Sequence, residues 1–324
     1  MLRFFQSAYL SRYIMVIAMA LVFWLPTFLL LPVQYDYQAI LIVLPEANGQ
    51  LTYLFHAVSL LLLLFTGLMT NQIGSDAGFT ARISTLALFI YILFGTALTS
   101  FTGYSIFFLT GLLFAFFLRL LYYIPETEKT IILSFNVAMI PGLAALFFPP
   151  ALYLILLLWI ALVIHRSAHW KSLVASLMGL ISPLFFVFLW YFWYDRTEVV
   201  LSALKTLFTI DPTYLITLHI MDYVILFLVV LLTLAATLRA SATLIEKNIN
   251  LRRNMILTLY FLLIITLIAI LFGAVEKSLM MISLPAALLV AQTVQDIKRV
   301  KPYNFAFSIL LILVLVDHYL KLLI

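Results

Sequence analysis

Eleven stretches of 16 to 23 residues carry almost no charge, and they constrain the fold of this chain more than any other feature. They run Tyr13–Leu31, Leu51–Thr70, Ile83–Phe101, Tyr104–Tyr123, Ile131–Phe148, Pro150–His165, Ser172–Tyr194, Leu218–Leu238, Asn254–Gly273, Ser278–Val294 and Tyr303–Leu320. A bilayer core of about 30 Å is crossed by about 20 helical residues at about 1.5 Å each. Backbone groups that water cannot reach must be paired within the segment, so such stretches form helices. Leu60–Phe65 and Leu226–Leu232 are apolar on every face, which excludes the alternation of a β-barrel strand. With 66% hydrophobic and 10% charged residues, 324 residues offer too little polar surface to cover a soluble globule. The expected fold is therefore all-α, a polytopic transmembrane helix bundle of about eleven spans, with residues 1–324 as a single integral membrane domain.

The charges set an orientation. Of 31 formal charges, 18 basic plus 13 acidic, only Arg119, Asp222 and Asp317 fall inside a stretch, each toward its end. With the N-terminus in the cytoplasm and sides assigned alternately, 14 Lys and Arg lie on the inner side and four (Arg196, Lys205, Lys277 and Lys321) on the outer. That bias follows the positive-inside rule and puts the C-terminus outside. It also accounts for the isoelectric point near 9.3 without a nucleic-acid partner. The absence of Cys excludes disulfides and thiolate metal sites.

Several connections have a readable form. Phe101-Thr102-Gly103-Tyr104 and Phe148-Pro149-Pro150 are tight outer hairpins, the prolines stopping one helix and starting the next. Val199–Thr209 has the spacing of an amphipathic interfacial helix, and Tyr37–Leu44, too short to cross, dips into the same interface. Trp190, Tyr191, Trp193 and Tyr194 form an aromatic belt. Met139-Ile-Pro-Gly142 and Leu180-Ile-Ser-Pro183 resemble each other loosely, too little for an inverted repeat. Asn136 stands in an apolar stretch with no route to water, and its amide is expected to bond to another helix. Arg119 is expected to snorkel to the inner headgroups.

Acids and imidazoles gather on the outer side. They are the material of general acid–base chemistry. His219 and Asp222, three residues apart, share a helix face near an outer entrance; the plainer reading is a polar helix start in the headgroup zone. Asp36 and Glu46 stand in the first outer loop, where membrane glycosyltransferases that use polyprenyl-phosphate sugar donors carry a catalytic acid. Asp36, Glu46, His219 and Asp222 are therefore the candidate catalytic residues. Arg196 and Glu198 are candidate substrate ligands, Arg196 for phosphate; an ordinary solvated loop reads the same way. Asp317-His318 is expected to fray at the chain's last span. No metal site and no particular cofactor are indicated.

One segment carries a resemblance. Phe135-Asn136, Gly142-Leu-Ala-Ala-Leu-Phe-Phe-Pro149, Leu158-Trp159-Ile-Ala-Leu162, Arg166, His169-Trp170-Lys171 and Gly179-Leu-Ile-Ser-Pro183 follow one another between residues 135 and 186. This course, with the start Met1-Leu-Arg-Phe-Phe, resembles an uncharacterised Bacteroidota family of polytopic inner-membrane proteins built on a domain of unknown function. Lys171 departs from the Arg expected after the Trp. The resemblance implies a bacterial inner membrane and brings no activity with it.

Two functional classes fit. The first is an enzyme handling a lipid-linked saccharide at the extracytoplasmic face, like a polyprenyl-phosphate glycosyltransferase, with membrane lipids and the lipid-linked sugar as partners. The second is a non-catalytic membrane-complex subunit, bound to other membrane subunits, or a transporter. Whether the chain is an enzyme stays open at this point. The chain has no Cys, so single cysteines can be placed in each turn in turn. An impermeant thiol reagent applied to intact cells should label alternate turns; labelling that fails to alternate would contradict the orientation.

Overall fold

The structure, a computed structural model, describes residues 2–7, 9–29, 38–39, 42–43, 50–97, 107–124, 130–205, 220–272, 275–297 and 301–320. The elements are α1 (Leu2–Phe5), α2 (Leu10–Leu29), α3 (Gln50–Asp76), α4 (Leu86–Gly95), α5 (Phe107–Tyr122), α6 (Thr130–Ala144), α7 (Ile155–Ile164), α8 (Trp170–Trp193), α9 (Thr197–Lys205), α10 (Ile220–Thr243), α11 (Ile249–Leu271), α12 (Val275–Asp296) and α13 (Lys301–Leu320). A two-rung antiparallel ladder, β1 (Gln38–Ala39) with β2 (Ile42–Val43), is formed within the Tyr37–Leu44 segment.

Each of the eleven apolar stretches carries a helix. Among the described residues six helices are long and apolar enough to cross a membrane: Leu10–Leu29, Tyr53–Asp76, Trp170–Trp193, Ile220–Glu246, Ile249–Leu271 and Lys301–Leu320. Leu86–Gly95, Phe108–Tyr122, Thr130–Ala144 and Pro149–Ile164 are shorter apolar helices. The outer faces of the long helices are apolar too. Phe186 and Trp193 on α8, Phe227 and Leu238 on α10, and Ile270 on α11 are all more than 60% exposed. Water would not tolerate so much continuous apolar surface, and lipid does. Apart from the short β1–β2 ladder, the described chain is that of a helical membrane protein.

The bundle is built around α4, all ten of whose residues are buried. α12, buried continuously from Ser283 to Val294, packs beside it, with α3, α5, α10 and α11 around the pair. The third stretch is shorter as a helix than its hydropathy predicts. It begins at Leu86 rather than Ile83, and Ile83 is exposed. A helix start inside a bundle leaves N–H groups without helical partners, and other groups must meet the nearby backbone. The Thr85 amide donates to the Phe5 carbonyl at 2.9 Å, the Leu86 amide to Ser84 Oγ at 3.2 Å and the Leu88 amide to Asn71 Oδ1 at 3.4 Å. The Asn71 amide in turn donates to the Ser84 carbonyl at 2.9 Å. The ring of Phe5 stacks on Phe89 at 4.3 Å, so α1 acts as a plug for the start of α4.

Consecutive helices reverse direction, which sorts their ends into two groups. At one end the Leu2 amide donates to Asn304 Oδ1, the Ala81 amide to Gln295 Oε1, Asn254 Nδ2 to the Ala77 carbonyl, and Lys247 pairs with Asp296 at 2.6 Å. At the other end Phe28 meets His56, Phe23 meets His318, and the Tyr319 hydroxyl donates to the Val22 carbonyl at 3.1 Å. Most described basic residues gather at the first end: Arg3, Arg12, Arg82, Arg119, Arg166, Lys171, Arg239, Lys247, Arg252, Arg253 and Lys301. Arg196 and Lys205 lie at the second.

Among the described residues α6 and α8 make the most extensive helix pairing. Leu143, Leu146 and Phe147 share a cluster with Leu184, Val187 and Tyr191, so the two helices run parallel. A parallel pair needs a return segment between its members. The turn of 3-10 helix Pro149–Leu154 and α7 supply it, with Pro149 and Pro150 at its start as the sequence predicts. Small residues line the crossing: Ser134, Ala138 and Gly142 on α6, and Ser172, Ser176 and Gly179 on α8. A Cβ on Gly142 would overlap the Leu180 carbonyl oxygen, and one on Gly179 would overlap that of Phe135. Close backbone approach of this kind replaces the hydrophobic driving force that lipid lacks. The two loosely similar segments around Pro141 and Pro183 thus meet each other directly.

Residues 199–205 of the amphipathic segment lie in α9, the remainder falls outside the described residues, and Val200 is buried against Leu146 at the tip of this pair. The hairpin at residues 101–104 lies outside the described residues. Gly179→Ala should cost about 1–3 kcal/mol of stability by overpacking the crossing. Met178→Ala, at a side chain 60% exposed, should stay within about 0.5 kcal/mol. Thermal unfolding of both variants in detergent checks this, and equal midpoints would contradict the crossing.

Candidate functional site

Acidic and imidazole side chains are buried at the second end of the bundle. α10 and α13 pack together in opposite directions, because the Lys247–Asp296 ion pair holds the end of α10 near the end of α12, from which α13 departs. The start of α10 and the finish of α13 are therefore at the same level. Asp222, in the first turn of α10, is 0% exposed, and Asp317 and His318, in the last turn of α13, are 2% and 1% exposed. On α3 His56 is 3% exposed, and Phe28 of α2 meets its ring edge-on. All four titratable groups take part in further polar or ring interactions.

The helices place them by the same periodicity that places their apolar residues. On α10 the buried stripe is Asp222, Ile225, Val229, Leu232, Ala236 and Ala240. On α13 it is Phe307, Leu310, Val314, Asp317 and His318. The acid of α10 lies at a helix N-terminus, where the peptide dipoles stabilise negative charge. His318 Nδ1 is 2.8 Å from the Val314 carbonyl. A carbonyl only accepts, so Nδ1 carries a proton, and when the ring is neutral Nε2 holds the lone pair. The arrangement offers a base and two carboxyl groups screened from bulk water.

The sequence-predicted residues divide. Asp222 lies at this end of the bundle and is buried rather than solvated in a headgroup zone. Asp317-His318 does not fray; both are core residues of α13, a correction to the expectation drawn from their position near the chain's end. Their place on the 307–310–314 stripe was the signal that could have found them. Arg196 and Glu198 are exposed at the corner between α8 and α9, and the structure does not bring them into the cluster. Asp195 there adopts φ 52°, with the Arg196 amide donating to the Tyr191 carbonyl at 2.9 Å. That is a left-handed cap closing α8, a structural use of this corner. Asp36, Glu46 and His219 lie outside the described residues.

A cavity of about 300 Å³ opens at the opposite, basic end, lined by Asp76, Tyr122, Tyr123, His165, Arg253 and Asn254 among others. Arg119 keeps a partly exposed side chain and lies 3.8 Å from Asp76 on the cavity's margin. The wall is held by a relay. Thr258 donates to the Asn254 carbonyl at 2.7 Å, so the Tyr122 hydroxyl donates to Thr258 at 2.6 Å. Among the described residues no group of three or more His, Asp or Glu side chains has the arrangement of a metal site.

Comparison of the chain with protein-family models, with curated proteins and with solved structures finds no match.

Thr258→Val strands the buried Tyr122 hydroxyl and should cost about 1–3 kcal/mol, whereas Thr258→Val combined with Tyr122→Phe should be closer to neutral. Thermal unfolding of the single and double variants measures the difference. A double variant less stable than Thr258→Val would contradict the relay.

Proposed function

We propose that this is a bacterial inner-membrane protein that crosses the bilayer about eleven times, N-terminus in the cytoplasm and C-terminus outside. Its extracytoplasmic end handles a lipid-linked saccharide, in the manner of a polyprenyl-phosphate glycosyltransferase. The observation that carries this reading is the burial of Asp222, Asp317, His318 and His56 at the acid-bearing end of the bundle. Carboxylates in a membrane are expensive, and a chain keeps them where they act or where they hold something that does. The resemblance of residues 135–186 to an inner-membrane family supports the location, and the gathering of basic residues at the other end supports the orientation.

The chemistry needs a base and a shielded site. A carboxylate or the His318 imidazole takes the proton from an acceptor hydroxyl. The acceptor oxygen bonds to the sugar's anomeric carbon, the bond from that carbon to the phosphate oxygen breaks, and the lipid phosphate leaves with the electron pair. Asp36 and Glu46, in the sequence between α2 and α3, are further candidates for the base.

The alternative is a non-catalytic membrane-complex subunit or a transporter. A transporter of this plan would break a helix near a midplane cavity. Pro141, Pro183 and Pro285 instead sit buried inside continuous helices.

Asp222→Asn and Asp317→Asn keep size and change charge. In cells depleted of the native copy each should reduce transfer from lipid-linked saccharide to envelope glycan about a hundredfold or more, the usual range for an acid–base group. Unchanged glycans in both variants, with normal amounts of protein in the membrane, would discard the enzymatic reading.

A further inference from the structure

Asn136 occupies a position that one folded chain leaves unexplained. It lies six residues from the start of α6 and eight from its end. Among the described residues it is the one amide or charged side chain that is exposed more than five residues from both ends of its helix. His56, Asn71 and Asn254 are comparably placed or nearer an end, and all three are buried. Ile132, 67% exposed, and Met139, 38% exposed, flank Asn136 one turn away on the same face of α6. The opposite face is locked to α8 through Gly142 and Gly179. No rotation of the helix can therefore bring Asn136 inward, and among the described residues the hydrogen bond expected for its amide is not made to a neighbouring helix.

An amide in the middle of a lipid-facing helix has neither water nor a backbone group to bond to. A partner helix would satisfy it. We infer that two copies of the chain associate through this face of α6, with the two Asn136 amides paired across a two-fold axis along the membrane normal.

A second copy is the occupant for two reasons. All copies of a membrane protein share one orientation, so a two-fold axis relating them runs along the normal and preserves depth. Residue 136 then meets residue 136, and not another position. A carboxamide is also its own complement: each Oδ1 accepts from the other copy's Nδ2, giving two hydrogen bonds for one residue type. Interhelical amide pairs of this kind associate helices in lipid. Ile132 and Met139 supply apolar contact on either side of the pair. The inference rests on the membrane reading of the fold and is independent of any enzymatic role.

The chain has no Cys, so introduced cysteines report without background. Ile132→Cys should yield a covalent dimer of twice the chain mass on mild oxidation of native membranes containing the full-length protein. Val163→Cys, 65% exposed on α7, is the control and should not. Adding Asn136→Leu to Ile132→Cys should lower the dimer yield about fivefold or more, and Asn136→Gln, which keeps the amide, should lower it less. Asn136→Leu monomers should unfold at the same temperature as the native chain, since no contact within the chain is lost. Equal cross-linking of Ile132→Cys and Val163→Cys, no response to Asn136→Leu, or a product whose mass is not twice that of the chain would each overturn the inference. Met139→Cys provides a second reporter on the same face with the same expected pattern.

Discussion

In lipid an unpaired backbone N–H or C=O costs about 2–7 kcal/mol, and this requirement underlies the rest of the structure. It makes each apolar stretch a helix before any tertiary contact is considered. It also explains where the helices stop. The start of α4 is deep in the bundle, and the surrounding backbone is met by Phe5, Ser84 and Asn71, residues that sequence proximity alone would not put together. The short helix α1 exists in the fold to carry the Phe5 carbonyl and ring to that place. Thr66, Thr70, Thr96, Thr233 and Thr258 follow the same logic inside helices, each returning its hydroxyl proton to a carbonyl a turn earlier.

Once the helices are formed, lipid gives them little reason to associate, because tails are as apolar as leucine. Association depends on shape and on polar contacts. The α6–α8 crossing uses shape: glycine and serine let two backbones approach until a single methyl group would not fit. Around α4 the packing is of larger side chains, with Phe89, Phe94 and Phe307 in ring contact. Polar contacts tie the basic end together, from Leu2 with Asn304 to Lys247 with Asp296. The outcome is a molecule with a cavity and most described basic residues at one end, and buried acids and imidazoles at the other.

Much of this was legible beforehand. The eleven stretches, the proline start of the return helix, and the crowding of Lys and Arg into alternate connections were all readable, because hydropathy and charge act locally along the chain. The burial of Asp317 and His318 was less so. Nearness to the chain's end argued for fraying, while the spacing from Phe307 through Val314 argued for the core, and packing against α10 and α2 decided it. Arg119 had an ordinary route to the headgroups, and only the folded chain showed Asp76 within reach. Asn136 was expected to bond to another helix, and in the folded chain it is exposed instead. That α8 would claim the other face of α6, and so direct the amide outward, depends on Gly142 meeting Leu180 and Gly179 meeting Phe135 across helices separated by a third.

Sequence by itself determined the solvent of this protein, its secondary structure and the polarity of its two ends. Each of these follows from side-chain transfer energies that a residue carries wherever it is. Tertiary structure decided which helix lies at the centre, which polar residues are hidden together, and which amide is left facing lipid. Those follow from contacts between residues tens to hundreds of positions apart, where a glycine's missing methyl group or one carbonyl's direction selects among bundles of equal hydrophobicity.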